Sequence, residues 1–239
     1  MSEIATGGLK AAADLYLRLI RDGGDQAQGT ALHPERPTTP TRWVPTFSLI
    51  PYQAVDPAQL GLLGTESFHD LSDEPLDQAI TQVIKVEGPV HFLVLADRLL
   101  TAADVGRLGA RIRERIEQRL KRLAEQGSLV QQGEFIGLDQ QFLMPRWRDW
   151  RSAPDKTRQL DHVHDGELML CLFHAVLRQE GAAVDEAMNT GLHRIGFIRL
   201  TENAKERLQS PLEALLRERI LIDRRGQLYL GPEALTRGR

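Results

Sequence analysis

Seven cations crowd residues 107–122: Arg107, Arg111, Arg113, Arg115, Arg119, Lys121 and Arg122, opposed only by Glu114 and Glu117. Guanidinium and ammonium groups at this density are suited to phosphate, and on a helix Arg111, Arg115, Arg119 and Arg122 form one stripe. Two readings fit the run. Either the stripe faces nucleic acid, with Arg107, Arg111 and Arg113 as the main phosphate contacts, or a solvated helix pairs its arginines with Glu114 and Glu117. A smaller basic group, Arg224 and Arg225, lies in Asp223-Arg224-Arg225-Gly226-Gln227, the tip of an expected second hairpin.

Other residues with chemical potential are less convincing. His162-x-His164 with Asp165 and Glu167 could approach a metal, but two histidines two apart in a polar stretch lack strong ligand spacing, so no metal and no cofactor is expected. His91 follows Pro89 and has no partner in sequence; a structural role is the better reading. Cys171, the single cysteine, sits among Leu170, Leu172 and Phe173 and reads as a buried thiol. No nucleophile–base constellation and no phosphate-binding loop of the Gly-x-x-x-x-Gly-Lys type occurs, so the chain is expected not to be an enzyme.

The elements that must position these groups come twice. Leu120, Leu123, Leu129, Val130 and Leu138 match Leu212, Leu215, Leu221, Ile222 and Leu230 at an offset of 92, whereas Glu87-Gly88 needs 93 to reach Glu180-Gly181. Arg107-Leu108-Gly109 resembles Arg194-Ile195-Gly196 at 87, which implies indels in the intervening loops. Each copy reads as three helices and a hairpin. In the first, Ser72 caps a helix bearing Leu76, Ile80, Val83 and Ile84. A second helix carries Leu95 and Leu99, and a third carries Leu108, Ile112, Ile116, Leu120 and Leu123. A hairpin then turns at residues 131–134. Pro211 falls opposite Arg119, and proline there predicts a broken third helix in the second copy, restarted with Ser210 as cap.

The expected fold class is therefore α+β, mostly helical, with tandem winged-helix (helix-turn-helix) domains. The expected organisation is an amino-terminal helix (1–22), a proline-rich tether (23–47) and a segment packing on the first copy (48–75). Domain one (76–143), a linker (144–164) and domain two (165–239) follow. In the linker, Trp147 and Trp150 alternate with Arg146, Arg148 and Arg151; packing that fixes the junction is preferred to base stacking.

The run Val83-Ile84-Lys85-Val86-Glu87-Gly88-Pro89-Val90-His91, with Arg98, Arg107-Leu108-Gly109-Ala110-Arg111-Ile112 and Gly133-Glu134-Phe135, resembles the DUF3320 domain over residues 52–230. That domain occurs near the carboxyl end of large bacterial superfamily 1 helicases of restriction-like or defence systems. The resemblance implies work beside a helicase or nuclease, without their chemistry.

Formal charge is -3, but residues 1–75 hold 5 basic and 10 acidic side chains, so the remainder is slightly positive. Two function classes follow. One is a cytoplasmic DNA-binding accessory or regulatory protein, with duplex DNA as ligand and a helicase, nuclease, other protein or second copy as partner. The other is a tandem winged-helix protein scaffold similar to the small subunits of condensin-like complexes. Neither has a membrane partner, because no run approaches the roughly 20 apolar residues of a membrane span.

Overall fold

The computed structural model describes residues 49–62, 68–179 and 181–235. The expected amino-terminal helix and the tether lie outside them. Strand β1 (Ile50–Pro51) and 3-10 turns at Pro57–Leu60 and Phe68–Asp70 precede helix α1 (Asp73–Glu87), β2 (Val90–His91), α2 (Phe92–Ala102) and α3 (Ala110–Glu125). The hairpin β3 (Val130–Gln132) and β4 (Phe135–Gly137) closes the first copy. A short helix α4 (Asp139–Leu143), strand β5 (Arg148–Asp149) and turns at Trp150–Ser152 and Leu160–His162 connect to the second copy. That copy comprises α5 (Asp165–Gln179), β6 (Ala182–Ala183), α6 (Val184–Ile195), α7 (Glu202–Arg217) and the hairpin β7 (Leu221–Arg224) and β8 (Gln227–Leu230), followed by α8 (Pro232–Leu235). The described chain is α+β and mostly helical. In each copy the strand after the first helix joins the hairpin on the same side, giving sheet orders β2-β4-β3 and β6-β8-β7. Val90 faces Ile136 in one sheet as Ala182 faces Leu228 in the other.

The two copies are in constant register. Asp73 moves to Asp165, Val90 to Ala182, Phe92 to Val184 and Ala110 to Glu202, each by 92 residues. The offsets of 93 and 87 expected from Glu-Gly and Arg-x-Gly doublets are therefore corrected: Glu87 corresponds to Gln179, and Arg107 to Arg199. Short polar doublets recur by chance, whereas apolar spacing is held by packing. Pro211 does not break α7, which runs unbroken from Thr201, whose hydroxyl accepts from the Ala204 amide. A proline costs a helix interior about 3 kcal/mol, and burial of Leu208, Leu212 and Leu215 on the same face offsets it.

Helix α1 shows why one face is buried: Leu76, Ala79, Ile80, Val83, Ile84 and Glu87 recur at helical spacing. Helix α5 is apolar from Leu168 to Leu177 save for His174 and is buried all round, with Trp147 and Trp150 joining its core from the connecting segment. Two cores result, one per copy. Tyr52 belongs to the second core, while Val55, Leu60 and Leu62 belong to the first. The segment expected to lean on the first copy thus spans both, and β1 pairs in parallel with β5, Ile50 opposite Arg148.

One polar clamp occurs in both copies. The Arg115 guanidinium on α3 donates to the Leu71 carbonyl and pairs with Asp73, the first residue of α1. Arg207 on α7 does the same to the Val163 carbonyl (2.6 Å) and Asp165 (2.5 Å). Each ties the third helix to the amino end of the first, where a carboxylate is already favoured by the helix dipole. Arg207→Met is expected to lower stability by about 1–2 kcal/mol, read as a drop in urea midpoint; an unchanged midpoint would refute the clamp's importance.

Candidate functional site

The third helix of the first copy carries the candidate cations, and the fold divides them. Arg119 sits on the buried face with Ile112, Ile116, Leu120 and Leu123. Its Nε and Nη2 donate to the two carboxylate oxygens of Asp77 at 2.8 and 2.5 Å, and Nη1 reaches Asp73. The bond and charge of Asp77 raise the Arg119 pKa despite its partial desolvation. Arg115 is held in the clamp above. One of the two readings put both on a phosphate-facing stripe and the other paired the arginines with Glu114 and Glu117; their guanidinium groups instead pair with Asp73 and Asp77 and hold α3 to α1. Asp73 and Asp77 lie one turn apart on α1, so a single face of that helix supplies both partners.

The other predicted residues are more accessible. Arg107, Arg111, Lys121 and Arg122 are exposed, whereas Arg113 is half-buried, pairing with Glu117 at 3.2 Å and lying 4.5 Å over the Phe92 ring. Lys121 approaches Glu125, and Arg122 approaches Asp73. Glu114, Glu117 and Glu125 are exposed among them. Arg224 and Arg225 stand exposed at the second hairpin tip, with Arg224 5.8 Å over Tyr229. A cleft of about 630 Å³ lies between α1 and α3, lined by Asp73, Asp77, Thr81, Lys85, Arg119 and Arg122.

The densest polar chemistry lies at the junction of the copies. Glu87 is 1% exposed at the carboxyl end of α1. Its carboxylate accepts four bonds: Tyr52 Oη (2.6 Å), Val55 N (2.9 Å), Arg98 Nε (2.8 Å) and Arg98 Nη2 (3.1 Å). Burial opposes the charge on Arg98, but the hydrogen bond and charge of Glu87 outweigh it and raise its pKa. Burial, then Glu87, push the Tyr52 hydroxyl up as well. Glu167 on α5 is equally saturated, accepting from Arg148 N (2.7 Å), Nε (3.1 Å) and Nη2 (2.8 Å) and from Trp150 Nε1 (3.0 Å). Arg148 links the Glu167 carboxylate to the end of α1, for its Nη1 also donates to the Glu87 backbone carbonyl at 2.7 Å. Tyr52 and Trp150 flank this guanidinium at 5.2 and 5.0 Å.

Residues after the first copy also donate to the carbonyls of the last turn of α1, those of Val86 and Glu87 being ones the helix itself leaves open. Gln141 Nε2 donates to Ile84, Arg146 Nη1 to Val86 and Arg148 Nη1 to Glu87. A side chain at Gly88 would strike the Gln141 Oε1 atom, 2.2 Å from where its Cβ would stand. Sequence reading missed these groups, although a signal exists: Glu87, Arg98 and Arg119 are charges on apolar helical stripes, where an ionisable residue needs a partner. Glu87→Gln is expected to cost about 3 kcal/mol or more by leaving Arg98 buried without its counter-charge. Equal urea midpoints for variant and parent would refute this.

Four histidines, His91, His162, His164 and His174, are packed into the same region. His91 Nδ1 accepts from Leu93 N at 3.2 Å and so caps α2, His162 Nδ1 lies 3.0 Å from the Thr157 carbonyl, and His164 Nδ1 accepts from Gly166 N. The rings of Phe135 and Phe142 meet His164 edge-on at 5.1 and 5.2 Å. His174 stacks on Trp147 at 4.2 Å. Cys171 is buried, which pushes its thiol pKa up. Among the described residues no group of three or more His, Cys, Asp or Glu could hold a metal, and no helix is long and apolar enough to cross a membrane.

Burial lowers His91, His164 and His174 from 6.5 to about 4. The unfolded chain therefore takes up protons first, so this stabilisation is complete above about pH 6.5 and is lost as pH falls toward about 4. His164→Asn, whose side-chain oxygen can still accept from Gly166 N, should lose less stability across that window than the parent; parallel curves would contradict it.

No curated protein and no solved structure matches the chain. The family match is narrower than the resemblance read from sequence: it runs through α1, β2, α2 and the first turn of α3, and takes in Asp73, Asp77, Glu87 and Arg98. Residues 66–114 match the model of DUF3320, a protein family of unknown function.

Proposed function

We propose that this chain is a pair of winged-helix modules working as a non-catalytic protein-interaction scaffold, comparable in role to the small subunits of condensin-like complexes. The order helix, strand, helix, helix, hairpin in each copy, with the first strand beside the last, supports the winged-helix reading. The observation that carries the scaffold reading is the capture of Arg119 and Arg115 by Asp73 and Asp77. In a winged helix that reads DNA, the third helix presents cations to phosphates. Here the exposed face of α3 mixes Arg111, Lys121 and Arg122 with Glu114, Glu117 and Glu125. The exposed face of α7 carries Glu202, Glu206 and Glu213. Neither surface has the uncompensated positive charge that drives counterion release.

A DNA-binding accessory role beside a bacterial helicase or nuclease is the second reading. It is favoured by the exposure of Arg107, Arg111, Lys121 and Arg122, with Arg224 and Arg225 on the second hairpin. Titration of a labelled duplex at two salt concentrations separates the two. The scaffold reading expects binding no tighter than the non-specific range of about 10⁻⁴ to 10⁻⁶ M near physiological salt. Tighter binding, with a salt slope that falls by about one for each lost contact in Arg107→Ala/Arg111→Ala/Arg122→Ala, would replace it with the DNA reading.

A further inference from the structure

A second cleft, of about 770 Å³, lies where the connecting segment meets the loop between α6 and α7. Its lining includes Arg151, Arg158, His193, Phe197, Ile198 and Arg199, and no carboxylate. The walls are fixed by short bonds. Arg151 Nε pairs with Asp149 at 2.8 Å and its Nη2 donates to the Arg194 carbonyl, while Arg158 donates to the Arg151 carbonyl and to Asp155. Gly196 adopts φ 101°, and the Arg151 Cγ lies 2.6 Å from where a Cβ would stand, so the arginine stem rests against bare backbone. His193 Nε2 is 2.6 Å from the Ile198 carbonyl and closes the loop. Ile198 is thereby presented outward, 78% exposed.

Positive charge at this cleft is answered only in part: Arg151 and Arg158 each hold one aspartate at the surface, where such pairs are weak, and Arg199 has no ion pair among the described residues. Next to the cleft, the Arg194 Nε is buried without a hydrogen-bond partner, while its backbone carbonyl receives Arg151. Burial and then the neighbouring Arg178 lower the Arg194 pKa, the response of a cation lacking a nearby anion. Guanidinium groups around an apolar anchor match the composition of protein-interface centres. A continuous phosphate backbone fits less well, because α7 leaves the cleft with Glu202 and Glu206 exposed.

We propose that this cleft docks an acidic peptide segment of a partner protein, with Arg199, Arg158 and Arg151 taking its carboxylates and Ile198 packing on an apolar residue between them. The inference rests on the scaffold reading and names the partner's chemistry. The test uses the full chain and fluorescence anisotropy with three labelled probes: a peptide alternating Glu with Leu, the same peptide with Gln for Glu, and a short duplex. The acidic peptide binds more weakly as salt rises, and the Gln peptide does not bind. Arg158→Glu/Arg199→Glu weakens the acidic peptide by about tenfold or more, and Ile198→Ser by several-fold. Arg224→Glu/Arg225→Glu changes it by less than about twofold, which excludes a general charge effect. Unchanged thermal melts show that these exposed substitutions leave the fold intact.

Absence of saturable binding by the acidic peptide overturns the proposal, as does an equal loss in the hairpin variant. Duplex binding that depends on Arg158 and Arg199 also overturns it, assigning the cleft to phosphate. Duplex binding that depends on Arg107 and Arg111 would instead sink the scaffold reading while leaving peptide docking at the cleft intact.

Discussion

A carboxylate sealed from water fixes the geometry of this molecule. Glu87 ends α1, where the helix dipole disfavours a negative charge, and it is fully buried. It is tolerated because four donors from three residues on two separate segments converge on it. The arrangement leaves little latitude: shifting Tyr52, Val55 or Arg98 would strand a charge in a low-dielectric interior. Glu167 imposes the same demand from the second copy, and Arg148 answers both by donating to its carboxylate and to the Glu87 backbone carbonyl. The orientation of one copy against the other is thus set by hydrogen-bond directions, which are stricter than apolar contact.

The same economy governs the basic helix. Its cations divide into those that hold α3 on α1 and those that meet solvent beside glutamates. A count along the chain treats the two groups alike, yet Arg119 is lost to any ligand unless Asp73 and Asp77 release it. In the second copy Arg194 is instead partly desolvated beside another cation, Arg178, and its buried Nε has no hydrogen-bond partner among the described residues.

Much of the architecture was legible in apolar spacing. Leu76, Ile80, Val83 and Ile84 mark α1 and Ile112, Ile116, Leu120 and Leu123 mark α3, because helix burial follows the 3.6-residue period. The site was less legible. Arg119 and Asp77 are 42 residues apart, and Arg98 and Thr157 are 59 apart. No local pattern encodes such pairing, and a charged helix looks the same whether its counterions are water, glutamates one turn away or aspartates on another helix. Pro211 misled for a related reason: local propensity argued for a break, and tertiary burial overrode it.

The constant register of 92 residues lets the chain serve as its own pairwise alignment. Asp77 and Arg119, an ion pair in one copy, correspond to Met169 and Pro211, both buried, in the other. Glu87 and Arg98 correspond to Gln179 and Thr190, whose side chains still meet at 3.5 Å but on the exposed surface. In both cases the charges have vanished together, while the clamp of Arg115 with Asp73 and of Arg207 with Asp165 stands in both copies. At both positions the copy that lacks one charge lacks its partner as well, as expected of groups whose burial is tolerable only in pairs.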